Sequence, residues 1–270
     1  MNTINVFTNG TPVSEDTKEV LIEKFKKNGF TVREQYDPDS ELIVCIGGDG
    51  AFLQAVHKYK FPSIPFVGVN TGHLGFFQEI APDKADELDK FIREYKEKRY
   101  TLQPLNTVQA TVTTQDGRQE VHRGLNEIVI RGDHAYSVHL DISIGSSPIE
   151  KFSGDGILVA TSAGSTAYNY SLGGSIVDPR IKLLQVTPIA PMNTTAYRSF
   201  TSSILLPSDL SLGVIPETDQ KGNDIFLLND GIEHAYTHVK EIKVEFSERI
   251  INLLRFESYD FWDKVKTKFL

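Results

Sequence analysis

The stretch Leu42-Ile43-Val44-Cys45-Ile46-Gly47-Gly48-Asp49-Gly50-Ala51-Phe52-Leu53 decides how the chain is read. Its apolar residues run without a break, as in a strand buried on both faces of a parallel sheet. The run ends in three glycines within four residues. Residues 51–59 then have helical spacing, with Phe52, Ala55 and Val56 on one side. Strand, glycine turn and helix in this order aim backbone amides and a helix N-terminus at one spot, which suits a phosphate. Asp49 would repel a phosphate, so in such a loop it serves as a base or as a Mg²⁺ ligand beside the phosphates. Taken alone, the spacing fits equally a tight turn with a helix-capping Asp. It is neither the GxxxxGK[ST] loop nor the GxGxxG fingerprint.

Outward from this point the first hundred residues alternate. Residues 4–8, 30–33 and 65–69 read as strands. Ser14 can cap a helix through residue 27, with Val20, Leu21 and Phe25 on one face and Asn28-Gly29 as its stop. Residues 83–98 form a strongly patterned helix with Leu88, Phe91, Ile92 and Tyr95 inward. The alternation predicts βαβ units and a mostly parallel sheet.

Past residue 100 the texture changes to Val, Ile, Thr, Ser and Tyr with recurring turn signals. Residues 108–113, 128–130, 137–144, 157–159, 204–206, 225–228 and 242–246 read as strands, with Asp116-Gly117 as a hairpin turn and one helical insertion over 165–172. Residues 258–269 return to helix, with Phe261, Trp262, Val265 and Phe269 as the apolar stripe. The expected architecture is an α/β domain over 1–100 carrying the GGDG loop, a β-rich domain over 101–256, and a C-terminal helix over 257–270 that packs back on the first domain.

Composition removes several classes of function. The 270 residues include 28 basic and 36 acidic ones, for a net charge of -8. That disfavours sequence-independent nucleic-acid binding, yet local backbone dipoles can still bind a small anion. Cys45 is the only cysteine, which excludes an intramolecular disulfide framework and a Cys-based zinc site and fits a reducing compartment. The N-terminus does not read as a signal peptide, and no apolar run reaches the roughly 18 residues of a membrane span. A cytoplasmic protein with no nucleic-acid or membrane partner is expected. The seven histidines show no metal-ligand spacing; His234 and His238 come nearest, at i,i+4.

Two further segments are dense in groups that can meet a ligand. Ser153-Gly154-Asp155-Gly156 is followed by Thr161-Ser162-Ala163-Gly164-Ser165-Thr166-Ala167-Tyr168-Asn169-Tyr170-Ser171-Leu172-Gly173-Gly174. Small residues there allow close approach, and Tyr168 offers a ring on which a base can stack. The same pattern fits a capped helix joining two strands. Leu125-Asn126-Glu127-Ile128 opens a strand with an amide and a carboxylate able to bond a ribose diol, or simply to face solvent.

Taken in order, GGDG after a buried strand, the Asn126-Glu127 pair, and GDG followed by GSTAYNYSLGG resemble the NAD kinase family in its compact bacterial form. GGDG alone is shared with diacylglycerol-type lipid kinases; the other two motifs single out NAD kinases. The resemblance implies transfer of the ATP γ-phosphoryl group to the 2′-hydroxyl of the adenosine ribose of NAD, with Mg²⁺, giving NADP and ADP. It implies that Asp49 is the general base and that Gly47, Gly48 and Gly50 shape the ATP phosphate loop, with Mg²⁺ held through the phosphates and no direct protein ligand assigned. Asp49, Gly50, Asn126, Glu127, Asp155, Thr166, Ala167, Tyr168, Ser171 and Ala190 would contact NAD, with Asp155 near a subunit boundary of a homodimer or homotetramer built through the β domain. Gly72-His73-Leu74-Gly75-Phe76 resembles the family's TGxLGF loop beside the cleft, where His73 contacts nucleotide or fixes the loop. Ala51, Ser162, Ala163 and Ser153 depart from the usual family residues, and each changes the polar groups offered near the nucleotides.

Overall fold

A computed structural model of the chain describes residues 2–82, 86–132, 136–195, 198–217 and 224–269. It forms two compact units, Met1–Leu105 with Arg249–Leu270, and Asn106–Glu248.

The first unit begins with β1 (Thr3–Thr8), α1 (Pro12–Lys27), β2 (Thr31–Arg33), β3 (Leu42–Gly47), α2 (Asp49–Lys58), β4 (Phe66–Asn70), β5 (Gln78–Ile80) and α3 (Glu87–Lys96). The strands pair in parallel in the order β2-β1-β3-β4-β5. All of β3 is buried, the physical reason that residues 42–46 carry no polar side chain. Ile4, Leu21, Phe25, Val44, Val67, Phe91 and Ile92 share its core.

Three local expectations are corrected here. Val20 is 46% exposed, because the inward face of α1 runs through Ser14, Leu21 and Phe25. Ser14 does not cap α1, which starts at Pro12 after Thr11; its hydroxyl pairs with that of Thr71 at 2.7 Å. The helix expected over 83–98 covers Glu87–Lys96 among the described residues, and 83–85 lie outside them.

Inside β6 (Thr101–Thr114) the chain passes into the second unit. There follow β7 (Gln119–Gly124), β8 (Glu127–Gly132), β9 (Val138–Ile144), β10 (Ser147–Gly154), β11 (Gly156–Thr161), a 3₁₀ turn (Ala163–Thr166), α4 (Tyr168–Ser171), β12 (Leu183–Ile189), β13 (Ile204–Pro207), β14 (Leu212–Pro216), β15 (Ile225–Asn229), β16 (Ile232–Tyr236) and β17 (Val239–Arg255). One antiparallel sheet has the order β13-β12-β11-β8-β15-β16. A second antiparallel set runs β10-β9-β14-β17, and β6 pairs with β7 across the turn at Gly117, whose φ is +87°. Ile128, Ile130, Phe152, Val159, Val186 and Val244 belong to one core. The helix expected over 165–172 is instead a 3₁₀ turn and one α-helical turn, separated at Ala167, where ψ of -132° leaves the helical region.

β17 brings the chain back to the first unit, where Leu253 lies parallel to Phe66 of β4. The last element is α5 (Phe261–Phe269), with Phe261 and Val265 buried. Phe76 packs at a tilt against Phe261 and stacks on Phe269, at ring separations of 5.7 and 5.8 Å, so this helix closes over the first unit's own loop. Trp262, expected in the apolar stripe, is 52% exposed, because the buried face of so short a helix is only Phe261 and Val265 wide.

Candidate active site

In the first unit the site is built at the end of β3. Gly47 takes a φ of +148°, and a Cβ there would stand 2.4 Å from Cβ of Ala51, so only glycine lets the strand turn under α2. At Gly48 and Gly50 a Cβ would meet nothing within 4 Å, so the backbone there faces open space. Asp49 is the first residue of α2, where the helix N-terminus favours a negative charge.

The carboxylate of Asp49 is held from both sides. Its Oδ2 accepts the amide N–H of Phe76 at 2.9 Å, and Oδ1 accepts that of Phe77 at 3.0 Å. Each oxygen keeps a lone pair for one further hydrogen. A Cβ on Gly75 would lie 2.3 Å from Oδ1, so the loop can close on Asp49 only with glycine at that position. The loop that contains His73 thus acts on Asp49 through backbone amides three and four residues further on; His73 itself is exposed. Sequence patterns flag Gly75 but carry no side-chain signal for these two amides.

In the second unit Asn126 and Glu127 open β8 and are buried. Asp230 fixes them: its Oδ2 accepts the amide of Leu125 at 2.7 Å, and Oδ1 accepts those of Asn126 at 2.8 Å and Glu127 at 3.1 Å. Asp230 sits at φ +50° in the turn Asn229-Asp230-Gly231, a turn signature whose long-range role no local pattern announces. The side chains held this way have unfilled capacity. Asn126 Oδ1 and Glu127 Oε2 are buried without a partner, a free-energy cost that a polar ligand would relieve. Burial, and secondarily the charge of Asp230, pushes the Glu127 carboxyl up to about 8.

The 163–171 segment joins the same place. The Asn126 carbonyl accepts the Thr161 amide at 2.8 Å, and a Cβ on Gly164 would be 2.1 Å from that carbonyl oxygen. Asn169 ties the segment down, donating to the Ser165 carbonyl at 3.2 Å and accepting from the Thr187 hydroxyl at 2.7 Å. Thr166 is buried beneath, Ala167 is half-buried, and Tyr168 and Ser171 point outward, with Tyr168 45% exposed.

Asp155 and Ala190 form a separate pair. The Asp155 amide donates to the Ile189 carbonyl at 2.9 Å, and Ala190 has a left-handed φ of +44°. Gly156 of β11 lies opposite Arg131 of β8, while Ala160 lies opposite Glu127. Asp155 and Glu127 therefore stand at opposite ends of β11, about 15 Å apart along the strand. Within one chain the fold brings Asn126, Glu127, Thr166, Ala167, Tyr168 and Ser171 to one end, and Asp155 and Ala190 to the other.

Comparison with known proteins fits this geometry. Residues 9–100 match the ATP-NAD kinase N-terminal domain and residues 125–256 the ATP-NAD kinase C-terminal domain. The chain is 38% identical over 271 residues to the NAD kinase of Finegoldia magna, covering 99% of this chain and 97% of that one.

The chain belongs to the ATP-NAD kinase family.

Other ATP-NAD kinase relatives include NAD kinase 1 of Listeria monocytogenes, 34% identical over 242 residues (88% of each chain), and a Streptococcus pneumoniae NAD kinase, 33% identical over 271 residues (99% of this chain and 96% of that one). Among solved structures, yeast NADH kinase complexed with NADH superposes with a TM-score of 0.83 at 20% identity, covering 98% of this chain and 86% of that one. An NAD kinase from Archaeoglobus fulgidus in complex with ATP gives 0.73 at 22%, covering 99% of both. These two likenesses show that the α/β unit, the β-rich unit and the final helix are the NAD kinase fold.

Proposed function

We propose that this chain phosphorylates NAD to NADP, taking the γ-phosphoryl group of ATP and placing it on the 2′-oxygen of the adenosine ribose. The observation that carries the mechanism is Asp49 at the N-terminus of α2, with one backbone amide on each carboxylate oxygen. A base fixed this way keeps one orientation and still has a lone pair on each oxygen for the ribose hydroxyl. As Asp49 takes the proton, O2′ forms its bond to the γ-phosphorus; the bond from that phosphorus to the β-bridging oxygen breaks, and ADP leaves with those electrons.

Gly47, Gly48 and Gly50 are assigned to the ATP phosphates. Asn126 and Glu127 are assigned to the ribose of NAD, and Thr166, Ala167, Tyr168 and Ser171 to its nucleoside parts. The unpartnered Asn126 and Glu127 oxygens support this reading. Both Asp49 oxygens are engaged by amides, so the site fits a Mg²⁺ held by phosphate and water oxygens rather than by a protein cage. When bound, Mg²⁺ neutralises charge on the transferring group.

Asp155 and Ala190 are assigned to NAD bound by another copy of the chain, in a homodimer or homotetramer built through the β-rich unit. Their distance from Glu127 along β11 supports this assignment. No helix among the described residues is long and apolar enough to cross a membrane, and we place the enzyme in the cytoplasm.

The test is direct. Purified protein with Mg²⁺, ATP and NAD forms NADP, and Asp49→Asn with an unchanged fold loses that activity. No NADP from the wild type, or a wild-type rate from Asp49→Asn, overturns the reading.

A further inference from the structure

The two amides that hold Asp49 belong to consecutive peptide groups, and each group is gripped at its far end by a cation. The Gly75–Phe76 peptide donates its N–H to Asp49 Oδ2, and its carbonyl, on Gly75, accepts from Nζ of Lys264 at 3.1 Å. The Phe76–Phe77 peptide donates its N–H to Asp49 Oδ1, and its carbonyl, on Phe76, accepts from Nη2 of Arg255 at 3.1 Å. Lys264 also donates to the Gln78 carbonyl. The order cation, carbonyl, amide, carboxylate repeats twice, with every dipole aligned in the same sense. A cation at the carbonyl end polarises the peptide and strengthens the hydrogen bond made by its N–H.

The two cations differ in what else they do. Arg255 is 5% exposed and already paired, through Nη1 to Glu79 at 2.9 Å and through Nε to Gln103 at 2.8 Å. Among the described residues the Lys264 side chain, from the middle of α5, makes its hydrogen bonds to carbonyl oxygens. Docking of that helix does not need it, because Phe261 and Val265 are buried and the Phe76 ring packs against those of Phe261 and Phe269. Burial first, and then Arg255, bring the Lys264 ammonium down to about 8. Glu79 and Asp49 oppose that shift, Lys268 adds to it, and the Tyr259 ring faces Nζ at 5.1 Å. A desolvated cation aimed at the backbone beside a base is costly to keep for packing alone.

We propose that Lys264 is a positioning residue for Asp49, acting through the Gly75–Phe76 peptide group. It fixes that peptide's orientation and polarity, so that Asp49 presents its lone pair to the acceptor hydroxyl in one geometry. The proposal rests on Asp49 being the base.

Lys264→Met, Lys264→Arg and Asp49→Asn, compared in NADP formation with ATP and NAD, test it. In Lys264→Met, kcat falls about 10- to 100-fold, while KM for ATP and for NAD stays near the wild-type value. Lys264→Arg recovers most of the loss, since a guanidinium can donate to both carbonyls. At saturating ATP and NAD, where the titration of Glu127 in NAD binding drops out, the wild-type kcat falls as pH rises through about 8, where Lys264 loses its proton, and Lys264→Arg lacks that decline. Should Lys264→Met fail to fold by circular dichroism, the pH profile of Lys264→Arg carries the test. A wild-type kcat in folded Lys264→Met, or an unchanged alkaline decline in Lys264→Arg, overturns the proposal. If Asp49→Asn keeps a wild-type rate, it is the assignment of the base that fails.

Discussion

Asp230 holds the backbone of Glu127 with both its side chain and its own amide, while its charge acts against ionisation of the Glu127 carboxyl. Asp230 Oδ1 accepts the Glu127 amide at 3.1 Å, and the Asp230 amide donates to the Glu127 carbonyl at 3.2 Å. The same Asp230 charge adds to burial in pushing the Glu127 carboxyl up to about 8. The Asp230 carboxylate accepts three amides, whereas Glu127 Oε2 is buried without a partner.

The first prediction concerns pH. A carboxyl whose folded pKa lies above its ordinary 4.5 binds more protons folded than unfolded between pH 4.5 and about 8. Its contribution to stability is full below pH 4.5 and is lost as pH rises through about 8. Glu127→Gln removes this slope. Without ligand, the variant melts higher than the wild type at pH 8, by roughly 1–3 kcal/mol of stability, and the difference vanishes near pH 4.5. Its KM for NAD rises above pH 8, where the wild-type carboxylate offers an acceptor oxygen that the amide replaces with a donor. Melting curves from pH 4.5 to 9 with the same slope for both proteins would contradict the assignment.

The second concerns Asp230. Asn at this position keeps the left-handed backbone, which Asn tolerates, but offers one acceptor oxygen where two are used. Leu125 then loses its partner, at roughly 1–3 kcal/mol. Asp230→Ala strands all three amides and also strains the turn, so it is the less stable variant. Both raise KM for NAD, since Asn126 and Glu127 lose the support of their backbones. Urea titration alongside steady-state kinetics checks the order: wild type, Asn, Ala.

The third uses glycine as a ruler. Gly75→Ala puts a methyl group 2.3 Å from Asp49 Oδ1, a contact that only displacement of the carboxylate or the loop can relieve. NADP formation falls about 100-fold or more. Gly72→Ala, three residues earlier in the same loop, meets nothing within 4 Å and keeps near wild-type activity. Equal effects of the two substitutions would show that loop position, not contact with Asp49, matters.

The fourth returns to charge. For a chain of net charge -8 that takes two anionic nucleotides, the proposed function draws the attraction from amides, a helix N-terminus and a divalent cation. Excess chelator abolishes NADP formation, and added Mg²⁺ restores it. Sustained turnover in chelator would refute this.

What could be read in the sequence was local. Residues 42–53 declare themselves because a buried strand, a glycine turn and a helix are written in consecutive residues, and β3 is buried at every position. Asn126-Glu127 and the 161–174 segment stand out because small and polar residues crowd together. The supports of these motifs stayed hidden because they lie far away in the chain. Asp230 is 103 residues from Glu127, and Lys264 is 189 from Gly75. A lysine in an amphipathic helix reads as a solvated face, and an Asp-Gly turn reads as a turn. The 3₁₀ turn at Ala163–Thr166 was missed for a related reason: Gly164 is fixed by the Asn126 carbonyl across the fold, not by helical periodicity.

The route of β17 has a consequence for biosynthesis. Asn106–Glu248 is one continuous segment, whereas the first unit is interrupted by it and completed by Arg249–Leu270. A ribosome moving from N- to C-terminus can release the second unit to fold while the first still lacks Leu253 beside Phe66 and the cations behind Asp49. The Gly47–Gly50 loop is translated early, yet the support of Asp49 is complete only once residue 264 has emerged. The nascent chain thus carries Asp49 through most of translation before the groups that aim it exist.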